Sequence, residues 1–335
     1  MSRTILPAGY QSALSVFETQ MAITDIKHLF PKTLGSVLNL KRISAPLFVE
    51  SATGLNDNLN GTERPVSFDI PETGGNAEVV HSLAKWKRLA LWRYGFEPGM
   101  GLYTDMNAIR RDEALDNLHS VYVDQWDWEK VITPEQRCEA YLRQTVCDIV
   151  DTLCITAKVL KASYPALTVS PDPQVSFITS QELLDRYPGL SPKEREAAYV
   201  KEHPTTFVMQ IGAPLSDGKP HDGRAPDYDD WSLNGDLLVW DEVLGCPLEL
   251  SSMGIRVDPP SLDRQLTAAG CDDRRPLYFH RLLLGGELPL TMGGGIGQSR
   301  LCMYLLQKAH IGEVQVSVWD ADTRRSCLDA GICLL

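Results

Sequence analysis

The sequence predicts an α+β domain in which an antiparallel β-sheet is flanked by helices. Strand-like and helix-like runs come in blocks, strands then helices then strands, without the βαβ alternation of a parallel sheet. A glycine run late in the chain, Gly293-Gly294-Gly295-Ile296-Gly297, leads into the apolar residues Leu301, Met303, Leu305 and Leu306, as at a tight turn from strand to helix. The length of 335 residues allows one large domain or two medium ones, and with no repeat or low-complexity linker a single domain over 1–335 is expected.

The elements follow in order. Over residues 10–30, Leu14, Phe17, Met21, Ile26, Leu29 and Phe30 recur at helical spacing, and Pro31 kinks that helix or begins a second. Short strands fall at 44–50, 65–70 and 76–81, each bounded by Gly, Asn or Pro, and residues 83–95 return to helix. A strand pair, 102–109 and 119–128, brackets a loop containing Arg110, Arg111, Asp112 and Glu113. Thr133-Pro134-Glu135 reads as a cap and first-turn proline opening a long helix to about Lys161. Ser180–Arg186 and Ser191–His203 are two shorter helices; 206–211, 236–240 and 248–257 are strands; helices lie near 261–269 and 276–284. The charged, Pro- and Gly-containing stretch Asp217–Trp231 is a loop, and a structureless loop of that length favours a lid or binding role.

Composition excludes several classes. Apolar residues at 43% and charged residues at 23% fit an ordinary globular enzyme. No apolar run approaches the roughly 20 residues of a membrane span, and the first residues lack a signal-peptide core, so a cytoplasmic protein without membrane contact is expected. The eight cysteines have neither C-x-x-C nor zinc spacing, and Cys147 and Cys154 share one face of the long helix, so reduced packing cysteines are expected. A net charge of −12 with no basic run argues against nucleic acid as partner. An anionic substrate would then need a locally positive cleft, for which Lys87, Arg110, Arg224, Arg256 and Arg300 are candidates.

The chemistry-bearing segments are few. Gly293–Arg300 fits neither the dinucleotide-binding glycine spacing nor the Walker lysine order. Its Arg300, in the first turn of the following helix, can reach a phosphate or stack on a base. Leu248–Val257 is a strand carrying an acid, two hydroxyls and an arginine. Asp57 lies in Leu55-Asn56-Asp57-Asn58-Leu59-Asn60-Gly61, whose residue types are those of a turn.

Together, Arg110–Glu113 with the strand after it, Leu248–Val257 and Gly293–Arg300 resemble the catalytic core of class II aminoacyl-tRNA synthetases. The first motif of that core would be Leu34–Leu40 into Ile43–Phe48. Within that superfamily, Glu78–Arg88, His119–Glu129, Arg224–Trp231 and Leu248–Val257 resemble the ammonia-dependent asparagine synthetases, or aspartate–ammonia ligases, over nearly the whole chain. The segment from Asp230 to Asn234 is shorter than that family's pattern, which implies a different closure of the preceding loop.

The resemblance implies aspartate, ATP and ammonia as substrates, a β-aspartyl-adenylate intermediate, and AMP, pyrophosphate and asparagine as products. It implies Arg110 on the α-phosphate, Glu113 on the adenine amino group and Arg300 on the γ-phosphate or adenine, with Ser120, Gly295 and Gly297 around the nucleotide. His81, Ser82, Lys87, Gln125, Asp127, Arg224, Ser251 and Ser252 would surround aspartate. Asp236 and Glu249 would hold Mg²⁺, and Asp57 would border the reacting carboxylate and draw in ammonium. Trp126 and Trp128 are expected in the core. A homodimer paired through the first motif is implied, without an anticodon-binding domain. The sequence shows neither an amino-terminal cysteine nucleophile nor an S-G-G-x-D-S loop, so a glutaminase activity is not expected. Two alternatives are an adenylate-forming paralogue with another acceptor and a non-catalytic amino-acid sensor.

Overall fold

The computed structural model describes residues 4–57, 59 and 63–335. Asn58, Asn60 and Gly61 of the turn-like run, and Met1–Arg3, lie outside the described residues. In chain order the elements are α1 (Val16–Leu38), β1 (Leu40–Arg42), β2 (Phe48–Glu50), β3 (Ser67–Ile70), β4 (Gly75–Val79), α2 (Ala84–Arg93), β5 (Gly101–Ile109) and β6 (Tyr122–Val131). There follow α3 (Glu139–Ser163), β7 (Ser176–Thr179), α4 (Ser180–Arg186), α5 (Pro192–Glu202), β8 (Thr205–Met209), β9 (Asp229–Asp241) and β10 (Cys246–Arg256). The chain closes with α6 (Pro259–Ala268), α7 (Tyr278–Leu284), β11 (Thr291–Gly297), α8 (Gln298–Leu305) and α9 (Ala321–Asp329).

The main sheet has eight strands in the order β1-β5-β6-β11-β10-β9-β8-β7, and a small sheet has the order β2-β4-β3. The large sheet is mixed, not purely antiparallel as the sequence suggested. Its centre is antiparallel, but β1 runs parallel to β5 at one edge and β7 parallel to β8 at the other. Parallel neighbours need a crossover. For β7 and β8 that crossover is α4 and α5, whose entry strand is only four residues long and gives little periodic signal.

Four further expectations are corrected. The first helix does not begin near residue 10: Ser15 caps it, its hydroxyl accepting from Glu18 N–H while the Glu18 carboxylate accepts from Ser15 N–H. Nor does Pro31 end it, because Ile26, Phe30 and Leu34 keep one buried stripe running past the proline. Thr133-Pro134 opens only a short 3-10 turn, Pro134–Gln136, and α3 starts at Glu139. Cys147 and Cys154 are half-buried at the margin of α3's core face.

The loop 217–231 ends early, at β9. Asp229 and Asp230 are buried there because Arg256 and Arg137 neutralise them, a pairing that local composition cannot reveal. The region from Asp230 to Asn234 is part of that strand.

The glycine run is not a turn either. Gly293–Gly297 are themselves strand β11, between β6 and β10, and α8 starts at the next residue. Neighbouring side chains lie across it. A Cβ at Gly294 would sit 2.5 Å from Met253 Cβ, and one at Gly293 would strike Glu129 and Arg256. Below the sheet, α1, α3 and α8 enclose the main core. Trp126 and Trp128, both fully buried, point into it from β6, and Trp126 stacks on Phe30 with ring centroids 4.9 Å apart.

Near the C-terminus, buried His310 accepts from Gly312 N–H through Nδ1 at 3.0 Å and meets Trp319 edge-on. Burial lowers its pKa to about 4. An unfolded histidine takes a proton near pH 6.5 whereas the folded one resists until about 4, so stability falls as pH drops through that window. His310→Asn, which keeps an acceptor for Gly312, is expected to flatten that fall in urea titrations between pH 6.5 and 4. An unchanged slope would place the acid sensitivity elsewhere.

Candidate active site

A cavity of about 390 Å³ opens on the face of the sheet opposite the core. Strand alternation builds its floor: with Trp126 and Trp128 turned into the core, Gln125 and Asp127 of β6 face the cavity. Lys87, from α2, crosses to donate to Gly294 O at 3.0 Å and lies 3.2 Å from Asp127 Oδ2. Burial lowers its pKa, and the Asp127 carboxylate opposes that shift.

Asp57 is no ordinary surface turn residue. It is buried, its Oδ2 accepting from Ser82 Oγ at 2.9 Å and its Oδ1 from Leu59 N–H at 2.9 Å. Asn56 fixes the same segment by accepting from His81 N–H at 2.8 Å and donating to Val79 O at 3.2 Å. Asp57 and Ser82 therefore face the cavity together. His81 packs behind them, its Nδ1 3.1 Å from Asp57 O, and does not line the cavity.

Arg110 and Glu113 line the other end, on the loop after β5, where Glu113 N–H donates to Arg110 O at 3.1 Å. Arg110 Nε is buried without a hydrogen-bond acceptor, an orphan donor facing an anion-sized space. Arg300 comes from the first turn of α8; its Nη1 donates to Glu249 O at 3.1 Å and lies 3.6 Å from Glu249 Oε2. Ser120, Gly295 and Gly297 line the cavity as well.

On the β9–β10 side, Ser252 lines the cavity whereas Ser251 turns away, its hydroxyl buried and unpaired. Arg224 pairs with Asp236, which sits behind it. Burial raises the Asp236 pKa to about 6, against the pull of Arg224 and with a push from Glu249. Glu249 on the wall and Asp236 behind it repel each other, and a carboxylate pair of this kind suits a divalent cation completed by further oxygens. Among the described residues no cluster of three or more ligands could cage a metal without the substrate. Asp236 and Glu249 are thus the carboxylate pair at this side of the cavity.

Several cavity residues escaped sequence reasoning. Asp229 and Tyr228 line it from the end of the 217–231 loop, and burial pushes the Tyr228 phenol well above its ordinary value, with Asp57 and Asp229 adding to the shift. Lys193 of α5 and Gln315 also reach it. The block Arg224–Trp231 pointed toward Tyr228 and Asp229; no local pattern pointed to Lys193 or Gln315. Arg256 lines the cavity but is spent, both faces of its guanidinium taken by Glu129 and Asp229.

A family model described as aspartate–ammonia ligase matches residues 17–331. The chain belongs to the aspartate–ammonia ligase family. The aspartate–ammonia ligase of Clostridium perfringens is 56% identical over 338 positions, covering 100% of both chains. That of Lactobacillus acidophilus is 57% identical and covers 99% of this chain and 100% of its own. Among solved structures, asparaginyl-tRNA synthetase of Entamoeba histolytica in complex with asparaginyl-adenylate aligns with a TM-score of 0.65 at 15% identity, over 90% of this chain and 66% of that one. The Pyrococcus horikoshii enzyme complexed with asparaginyl-adenylate gives 0.64 at 16% identity, over 89% and 68%. At those identities the likeness shows fold alone: the chain has the fold of these synthetases.

In this family member Gly295 leaves room that a methyl would close, because a Cβ there would sit 2.5 Å from Gln125 Oε1 and 2.7 Å from Asp127 Oδ1. Gly295→Ala is expected to weaken aspartate binding about tenfold or more by pushing both side chains aside, while the melting temperature changes little. Calorimetric titration with aspartate checks this, and wild-type affinity would mean that Gln125 and Asp127 do not contact aspartate.

Proposed function

We propose that this aspartate–ammonia ligase makes L-asparagine from L-aspartate and ammonia through a β-aspartyl adenylate, cleaving ATP to AMP and pyrophosphate. One observation carries the assignment of steps to residues. A single cavity joins an end lined by acid, lysine and hydroxyl groups, Asp127, Lys87, Ser82 and Asp57, to an end bearing Arg110, Glu113 and Arg300.

The amino-acid end suits a zwitterion. Asp127 and Gln125 take the α-amino group. Lys87 has three N–H donors and gives two to Gly294 O and Asp127, which leaves the third for the α-carboxylate, beside Ser82, Ser252 and Arg224. Held by those groups, aspartate turns its β-carboxylate toward the nucleotide. A β-carboxylate oxygen then attacks the α-phosphorus, and the bond from that phosphorus to the α,β-bridging oxygen breaks. Arg110 faces the charge building on the α-phosphoryl oxygens, and its orphan Nε becomes satisfied. Glu113 accepts from the adenine amino group, and Arg300 takes the γ-phosphate or the base. Ser120, Gly295 and Gly297 let the nucleotide approach the sheet. Asp236 and Glu249 would hold Mg²⁺, which supplies neutralising charge to the polyphosphate.

In the second step nitrogen attacks the β-carbonyl carbon, AMP departs, and the new amide sheds one proton. Ammonium must also lose a proton before it can attack. Asp57, buried beside Ser82 at the cavity wall, attracts the cation and accepts that proton. His81 and Ser251 take supporting positions behind this shell. The chain acts as a homodimer within the cytoplasm, and among the described residues no helix is long and apolar enough to cross a membrane. A sensor without catalysis is disfavoured because Arg110, Glu113, Glu249 and Arg300 all line the cavity.

Pure protein given aspartate, MgATP and ammonium is expected to yield asparagine, AMP and pyrophosphate in equal amounts; ADP as product would overturn the adenylate route. Arg110→Ala and Arg300→Ala should each lower turnover on the order of 10²–10³-fold with the fold intact, as steady-state rates and circular dichroism will report.

For Asp57→Asn, positional isotope exchange in ATP without ammonia should persist while asparagine formation falls and partly recovers at high pH. Equal loss of both half-reactions would move Asp57 to aspartate positioning.

A further inference from the structure

Lys193 enters the cavity from α5, an element that supplies none of the residues assigned above. Its Nζ lies 3.2 Å from Glu196 Oε2 and 3.7 Å from Asp222 Oδ2, and the side chain is exposed at the cavity mouth. Desolvation works against its charge, but Glu196, Glu249, Asp222 and Asp236 together outweigh that and raise its pKa. Two of those four, Asp236 and Glu249, are the carboxylates suited to Mg²⁺.

This wall is over-supplied with negative charge while substrate is absent. Arg224 serves Asp236, Arg300 lies against Glu249, and Lys193 balances what is left. Asp236 and Glu249 would hold a divalent cation, whose charge would relieve two of the four attractions on Lys193 and leave it free for phosphate oxygens. Lys193 sits on a flexible four-carbon stem beside that position, and its ammonium is a point charge suited to polyphosphate.

We propose that Lys193 is a further catalytic residue, which holds the β- and γ-phosphates of ATP and stabilises pyrophosphate as it leaves. The bond between the α-phosphorus and the bridging oxygen breaks with its electron pair going to pyrophosphate. Lys193 donates hydrogen bonds to that growing charge and keeps its proton. The proposal rests on the adenylate-forming reading, and its test separates the two.

Inorganic pyrophosphate is the probe, titrated calorimetrically with Mg²⁺ into the whole protein, with AMP and aspartate as separate titrants. Loss of one charge-assisted contact should weaken pyrophosphate and ATP binding by about ten- to a hundredfold in Lys193→Met. AMP and aspartate, which lack the β- and γ-phosphates, should bind as in wild type. Lys193→Arg should recover most of the pyrophosphate affinity, and kcat should fall in Lys193→Met with the KM for aspartate unchanged. If Lys193→Met binds pyrophosphate like wild type, or loses AMP equally, Lys193 only anchors α5 and the proposal is overturned. Wild-type protein that binds pyrophosphate through Lys193 yet makes no asparagine would overturn the ligase reading alone.

Discussion

A buried guanidinium holds the cavity floor together. Arg256 of β10 grips Glu129 of β6 through Nε and Nη2, at 3.1 and 2.8 Å, and Asp229 at the start of β9 through Nη1. Strand β6 and the hairpin of β9 and β10, distant from it in the chain, meet at that one side chain. Thr291 Oγ1 adds a 2.7 Å bond to Glu129. The triad sets one guanidinium against two carboxylates, with Lys87 and Arg224 adding positive charge nearby; stripping one partner from a buried pair costs about 3–5 kcal/mol. The absence of a side chain at Gly293 belongs to the same constraint, since the triad occupies the volume a methyl would need.

A second layer of buried cations lies on α2. Lys85 meets Asp227 at 3.6 Å, Lys87 meets Asp127, and Arg88 donates to Val257 O at 2.7 Å and Pro289 O at 2.9 Å. Burial lowers the Arg88 pKa to about 10. A chain with a net charge of −12 thus keeps cations beneath and around its cavity. Among the described residues, six of these cations reach the cavity lining beside eight carboxylates, so positive charge is concentrated at particular points and does not fill the whole cleft.

Much of this was legible in the sequence where the signal is local. The alternation Gln125-Trp126-Asp127-Trp128 assigned sides to β6, and the Arg110–Glu113 loop, α2 and the two short helices fall where their caps and periodicity put them. What stayed hidden depends on distant partners. The parallel edges β1–β5 and β7–β8 need neighbours 61 and 30 residues away in the register Leu40 to Gly101 and Ser176 to Thr206, about which short strands say nothing. Asp229 and Asp230 look like loop residues until Arg256 and Arg137 arrive. Ser251 and Ser252 are equivalent as text, yet a bulge between Glu249 and Ser251 decides which one sees the cavity.

The direct passage of β11 into α8 has a mechanical consequence. Gly295, against Gln125 and Asp127, and Arg300, against Glu249, sit on one element with no loop between them. A stiff lever therefore spans the two ends of the cavity. A displacement of the glycine strand at one end would be carried through α8 to Arg300 at the other.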